Sequence, residues 1–290
     1  MKPDFFKKVF DLVFPGPSEN GFEDLLKIFY DLTLSGSSKA DISLKINEFH
    51  SEIKDPYTHS YEAIPSHSGY LTEKTEFSNT FLMELSRGCP YSCKFCTVPL
   101  SGKFFSFRPE RINELIDNFS EKIDKFGLLF AGYDNRSKLK DIIKRIISLK
   151  KSISVSSLRA DLLDEELAEL LIKGGQRKFT LAPETGDDTG RRSTGKNISN
   201  IEFAEKTLML YSLGAHTVRF YFMYGLPEMK DRIKQSEIPA EYCISEGDSI
   251  ISFLKDIRKW TLKLENRREP LIIEAHLSPF IPMPLTPWQD

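Results

Sequence analysis

Cysteine is scarce in this chain, with four residues in 290, and three of the four fall within one loop. That distribution does not suit a disulfide framework, which spreads an even set of cysteines through a small secreted domain. It reads instead as metal binding in a reducing compartment. Long hydrophobic runs are missing too: no stretch approaches the roughly 20 apolar residues that a membrane-spanning helix needs. The opening MKPDFFKKVFDLVFPG is broken by charge and lacks a cleavage pattern, so it reads as folded structure rather than a secretory leader. Neither sign of charge is in excess, with 40 Lys and Arg against 42 Asp and Glu, a formal net charge of −2 and an isoelectric point near 6.3. Such a chain has no global pull toward nucleic acid or an anionic membrane, so nucleic acid is not implied and the cytoplasm is the expected compartment. What remains is an ordinary globular composition, 40% hydrophobic with a mean hydropathy of −0.32, long enough for one large α/β domain and an appendage.

The cysteine loop, ELSRGCPYSCKFCTVP at residues 84–99, carries Cys89, Cys93 and Cys96 between Gly88, Pro90 and Pro99. Thiolates this close can converge on one soft metal centre, zinc or an iron-sulfur cluster. A structural zinc site is closed by four ligands, usually two short Cys or His pairs, and no second pair lies nearby. A 4Fe-4S cluster normally takes four cysteines, so three leave one iron open to a reactive ligand. Both centres stay open on spacing alone.

The spacing Cys-x-x-x-Cys-x-x-Cys, with the aromatic Phe95 directly before Cys96, resembles the signature of the radical S-adenosylmethionine superfamily. The resemblance implies that Cys89, Cys93 and Cys96 hold a 4Fe-4S cluster and that S-adenosylmethionine chelates its fourth iron through amino and carboxylate groups. It also implies reductive cleavage of that cofactor to methionine and a 5′-deoxyadenosyl radical, which takes hydrogen from a substrate. The electron would come from a donor such as flavodoxin or ferredoxin.

Along the chain, Ser18 is a candidate cap for a helix that puts Phe22, Leu25, Leu26, Phe29 and Leu32 on one face. Residues 34–75 show no sustained periodicity and read as an extended linker, with His50, His59 and His67 solvated rather than ligating. From residue 79, short apolar runs alternate with helical segments, the pattern of a parallel sheet with helices outside. The six runs end at Leu85, Gly132, Ser157, Ala182, Met223 and Leu277. Between them, Ile112, Leu115, Ile116, Phe119 and Ile123 share a face, as do Leu139, Ile142, Ile143 and Ile146. Asp164 precedes a helix that stops at Gly174, Ser199 with Glu202 reads as a capping box before a helix ending at Gly214, and a further helix is expected from about 248 to 264. Six βα units in right-handed connection predict an α/β fold, a partial (β/α)6 barrel of the radical SAM type with a short helical N-terminal appendage. Residues 1–75 are expected as that helical remnant and linker, and 76–290 as the core domain.

Ligands of such sheets bind at the carboxyl ends of the strands, so the residues after each run are the candidate site. Ala131-Gly132-Tyr133 stands where the superfamily has a Gly-Gly-Glu-like element beside the methionine moiety, and here the acid is absent or displaced to Asp134. The third strand supplies Ser157 and Arg159 in SSLRAD, and the fourth leads into APETG with Glu184. By the resemblance, Glu184 would accept hydrogen bonds from a ribose or an ammonium group, while Arg159 or Arg192 would pair with the cofactor carboxylate. These motifs, with YGLP at 224–227 and the final SPFIPMPLTPWQD, resemble the branch of the superfamily usually preceded by a cobalamin-binding domain. The Asp-x-His-x-x-Gly motif of that domain is absent, which argues against cobalamin as a cofactor of this polypeptide and leaves room for a separate cobalamin-binding chain. His276 reads as structural and Cys243 as a small buried hydrophobe. The competing reading is a truncated, non-enzymatic iron-sulfur or zinc module serving as a structural or interaction partner.

Overall fold

The computed structural model describes residue 10 and residues 21–52, 65–100, 102–227, 245–264 and 269–289. Ser18, His59 and Cys243, with the side chain of His50, lie outside the described residues.

All six apolar runs form strands: β1 (Phe81–Glu84), β4 (Lys125–Leu129), β5 (Ser152–Val155), β6 (Lys178–Glu184), β7 (Thr217–Tyr224) and β8 (Ile272–Pro279). They pair in parallel as two three-stranded sheets, β1-β4-β5 and β6-β7-β8. A parallel bridge between Leu158 and Leu181 joins the two sheets, and the Leu158 amide donates to the Thr180 carbonyl at 3.1 Å. Six parallel strands in chain order, connected through outer helices, make the partial barrel expected from the sequence.

The strands alternate as a barrel wall should. Phe81 and Met83 of β1, and Val218, Phe220 and Phe222 of β7, are buried against the helices. Their neighbours Leu82, Glu84, Arg219, Tyr221 and Met223 turn to the concave side and stay half-exposed. The outer layer consists of α3 (Pro109–Phe119), α4 (Arg136–Ser148), α5 (Glu165–Lys173), α6 (Asp188–Ser193), α7 (Asn200–Leu213) and α8 (Glu246–Thr261). Leu139, Ile142, Ile143 and Ile146 of α4 are all buried, and Phe253 of α8 meets Phe203, Phe220 and Phe222 edge-on. The caps match the sequence. Asp164 accepts from the Leu167 amide, Ser199 and Glu202 close the full capping box, and Gly214 ends α7 in the left-handed region at φ 119°.

Two features differ from expectation. Residues 34–75 are not simply extended: α2 (Lys39–Glu52) lies within them and packs on α1 (Phe22–Leu34). Its signals were weak ones, Ser38 accepting from the Asp41 amide at 3.2 Å and an Ile42, Ile46 pair one turn apart. On α1 only Leu25 of the anticipated face is buried, with Leu32 half-buried and Phe22, Leu26 and Phe29 exposed. The second feature is a short antiparallel pair, β2 (Ser86–Arg87) with β3 (Phe105–Ser106), which no periodicity announces. It ties together the two ends of the cysteine loop. Residues 66–68 also run antiparallel beside β1, with the Glu84 amide donating to the Ser66 carbonyl and the Ser68 amide to Leu82, so the sheet's first edge is covered. His67 in that strap is exposed and stacks on Phe81 and Phe119.

Candidate functional site

The β2–β3 pair sets the base of the cysteine loop, and two glycines let it settle onto the strand ends. The Ser86 hydroxyl donates to the Gly132 carbonyl at 2.5 Å, just beyond β4. A Cβ at position 132 would stand 2.7 Å from Pro90 Cδ, so a larger residue would push the loop away. On the other side, Lys94 N–H donates to the Thr194 carbonyl at 3.0 Å. Gly195, at φ +89°, brings its backbone to the Ser92 carbonyl so closely that a Cβ would lie 3.1 Å from that oxygen. The loop is thereby held between the β4 end and the segment joining α6 to α7.

Cys89, Cys93 and Cys96 are free, half-exposed thiols. Burial pushes the Cys89 and Cys93 thiols up from their ordinary value, and the neighbouring Cys96 adds to this. Lys196 and Arg159 pull both the other way. Ligation by either thiol must therefore release a proton, and the two cations favour that release.

Those cations are fixed by the surroundings. The Arg159 guanidinium lies 3.5 Å from the centroid of the Tyr91 ring, inside the cysteine loop, and forks onto Asp161 at 2.9 and 3.0 Å. Lys196 pairs with Glu184 in a short contact and donates to the Ala182 carbonyl at 3.0 Å. Its ammonium also sits 6.0 Å from the Phe95 ring. Glu184 closes β6 at φ 66°, the left-handed region that a residue with a side chain enters at a cost of order 1–3 kcal/mol. Register slips between Leu181 and Glu184, so an irregularity aims this carboxylate off the strand.

Of the residues anticipated from sequence, the three cysteines, Phe95, Gly132, Arg159 and Glu184 come together around the loop. Ser157 is exposed beyond β5. Arg192 is exposed on α6, where its guanidinium donates to Thr189. Its neighbour Arg191 is the buried one, donating to the carbonyls of Pro183, Thr185 and Ile198 and to Asn200 and Asp188, and so knitting the turn after β6. Asp134 is exposed. Sequence reasoning missed Tyr91 and Lys196. Tyr91 stood inside the motif as an unremarked spacer, and Lys196 pairs with a residue 12 positions away through no periodic pattern.

Beside the loop, a cavity of about 520 Å³ opens on the concave face, bounded by Ser66, Leu82, Glu84, Gly88, Val98 and Phe130 among others. Glu84 and Arg87 form a bidentate pair at its wall. Among the described residues, no three His, Cys, Asp or Glu side chains gather closely enough to share one metal ion.

The family model described as the Radical SAM superfamily matches residues 83–236, just over half of the chain. The chain belongs to the radical SAM superfamily. It is also 25% identical over 210 residues to the uncharacterized protein MJ0966 of Methanocaldococcus jannaschii, a match covering 71% of this chain and 43% of that protein. The chain thus spans less than half the length of this curated relative. Among solved structures, the radical S-adenosylmethionine methyltransferase TsrM from Kitasatospora setae, with cobalamin and a 4Fe-4S cluster bound, has a TM-score of 0.51 at 12% identity, covering 72% of this chain and 35% of that one. Methylornithine synthase (PylB) aligns with a TM-score of 0.46 at 14% identity, over 74% of this chain and 58% of that one. For the radical SAM chain described here, the donor set fits the cluster that membership implies, three thiols in one loop and no other cysteine among the described residues. No described helix is long and apolar enough to cross a membrane.

Proposed function

We propose that this protein binds a 4Fe-4S cluster through Cys89, Cys93 and Cys96 and reductively cleaves S-adenosylmethionine to start hydrogen abstraction from an organic substrate. The observation that carries the reading is the three-thiol loop wedged onto the strand ends by Gly132 and Gly195, with a fixed carboxylate and two fixed cations around it. When bound, the cluster supplies one electron that splits the cofactor's sulfonium–C5′ bond into methionine and a 5′-deoxyadenosyl radical. The chain's own part is to hold and orient. Each thiol gives up its proton to ligate, helped at Cys89 and Cys93 by Lys196 and Arg159. Glu184, on parting from Lys196, offers a carboxylate to a ribose or ammonium group, Arg159, on parting from Asp161, a guanidinium to a carboxylate, and Gly132 a close backbone approach. Phe95, Ser157 and Arg192 complete the proposed cofactor contacts, with Arg192 requiring a rotation away from Thr189.

Residues 76–290 are proposed as the catalytic unit and 1–75 as its helical appendage. The electron is proposed to come from a small donor protein such as flavodoxin or ferredoxin in the cytoplasm, and any cobalamin from a separate chain. The competing reading is a purely structural zinc module. Anaerobic reconstitution tests this. Iron and sulfide near four each per chain, as a 4Fe-4S cluster requires, with a broad brown absorbance and 5′-deoxyadenosine formed under strong reduction, are expected. Zinc without iron, or a full cluster that yields no 5′-deoxyadenosine, would overturn it.

A further inference from the structure

The segment after β8 returns to the cysteine loop and plants Trp288 on it. Trp288 is 6% exposed although it lies near the end of the described chain. Its ring centroid is 6.5 Å from that of Phe95 and 5.7 Å, edge-on, from that of Phe280. The Lys94 ammonium stands 5.8 Å from the centroid of the same ring, and the Trp288 amide donates to the Lys94 carbonyl at 3.3 Å. Met223 near the end of β7 and Leu226 just beyond it complete this small apolar cluster, which is separate from the main core. The turn presenting the tryptophan is closed on itself. The Thr286 hydroxyl donates to the Met283 carbonyl at 2.7 Å, the Leu285 amide to the Gln289 side chain at 3.0 Å, and the Gln289 amide to Thr286 at 3.1 Å.

Lys94 and Phe95 lie between the second and third cysteines, so whatever grips them fixes the spacing of Cys93 and Cys96. On the other side the Thr194 carbonyl holds the Lys94 amide, and Gly195 packs on Ser92 and Cys93 just before it. We infer that Trp288 is a positioning residue: it clamps the Lys94-Phe95 span of the cysteine loop and covers it from water. Without the ring, the loop loses its apolar lid and keeps only the position-288 amide bond on that side. Phe retains most of the ring contact, while Ala retains only the backbone hydrogen bond.

The first test uses the cluster-free full chain under reducing conditions and does not depend on the proposed function. Limited trypsin cleavage after Lys94, followed by mass spectrometry, is expected to be about tenfold or more faster in Trp288→Ala than in the wild type, because cleavage tracks the opened population. Trp288→Phe should cleave near the wild-type rate, and cleavage after Lys173 in α5 should be unchanged in both. Unchanged cleavage after Lys94, or an equal rise after Lys173, overturns the clamp. The second test rests on cluster binding. Reconstitution should quench tryptophan emission in Trp260→Phe, which keeps Trp288 beside the loop, and far less in Trp288→Phe. The opposite pattern also overturns the inference. A wild type that takes up no iron would sink the proposed function, while the proteolysis still decides the clamp.

Discussion

Lys196→Met is the most informative single perturbation, because the ion pair it breaks is closed to water. The side chains of Lys196 and Glu184 are 9% and 10% exposed, and the ammonium has a further acceptor in the Ala182 carbonyl. Removing one partner of a buried pair leaves an uncompensated charge and costs about 3–5 kcal/mol. Here the stranded group is a carboxylate on a backbone already held at φ 66°, so the loss falls on a strained residue. At about 2–4 °C per kcal/mol for domains near this size, the midpoint of thermal unfolding should drop by roughly 6–20 °C. Urea unfolding of the cluster-free chain, followed by circular dichroism, measures the effect without metal. Adding Glu184→Gln to the same chain removes the stranded charge, so the double variant should be more stable than Lys196→Met alone by at least about 1 kcal/mol. A single-variant loss under about 1 kcal/mol, or a double variant whose loss equals the sum of the two singles, would refute the claim that this pair is a coupled, buried unit.

Cys→Ala at Cys89, Cys93 or Cys96 should each abolish cluster assembly while Cys243→Ala leaves it intact, as read from iron content after anaerobic reconstitution. Equal losses at all four positions would contradict a three-thiolate site. Gly132→Ala should cost about 1–3 kcal/mol and lower iron uptake, since its Cβ would stand 2.7 Å from Pro90; full uptake at wild-type stability would count against the wedge. The Ser199 amide, then its hydroxyl, hold the Glu202 carboxyl below its usual range. A group so lowered contributes stability above its unfolded-state pKa and loses it as pH falls through the folded value. Glu202→Ala should therefore destabilise near pH 7 by about 0.3–1 kcal/mol, the weight of an exposed carboxylate at a helix N-terminus, and the gap to the wild type should narrow as pH drops through the carboxylate range. A constant gap in urea titrations across that range would show that charge plays no part.

Much of this architecture could be read in advance because its causes are local. Short apolar runs became β1 and β4 to β8, and the Asp164, Ser199 and Glu202 caps sit where their residue types demand. The three cysteines were legible for the same reason, since their grouping is contained within eight consecutive residues. What escaped notice depends on approach between distant segments. Lys196 acquires its meaning from Glu184 across a bulge, Tyr91 from Arg159 beyond another strand, and α2 from Ile46 reaching a buried position. Arg192 was chosen over Arg191 because two adjacent arginines look alike in a sequence, while a helix turns one to solvent and the other inward. The β2–β3 pair was too short to carry a period at all.

The seam between the two sheets has a consequence for maturation. Each sheet is built from consecutive βα units and can zip up from neighbouring segments, whereas the seam is made of the Leu158–Leu181 bridge and its adjoining contacts. The cysteine loop belongs to the first sheet, yet Thr194, Gly195 and Trp288, which hold it, all follow the seam in the chain. The thiols are thus present before their cradle is, and a nascent chain displays them ungripped until its later half has been made and has docked. On the proposed function, a cluster offered too early would meet three loose thiols, and one offered after docking a finished socket.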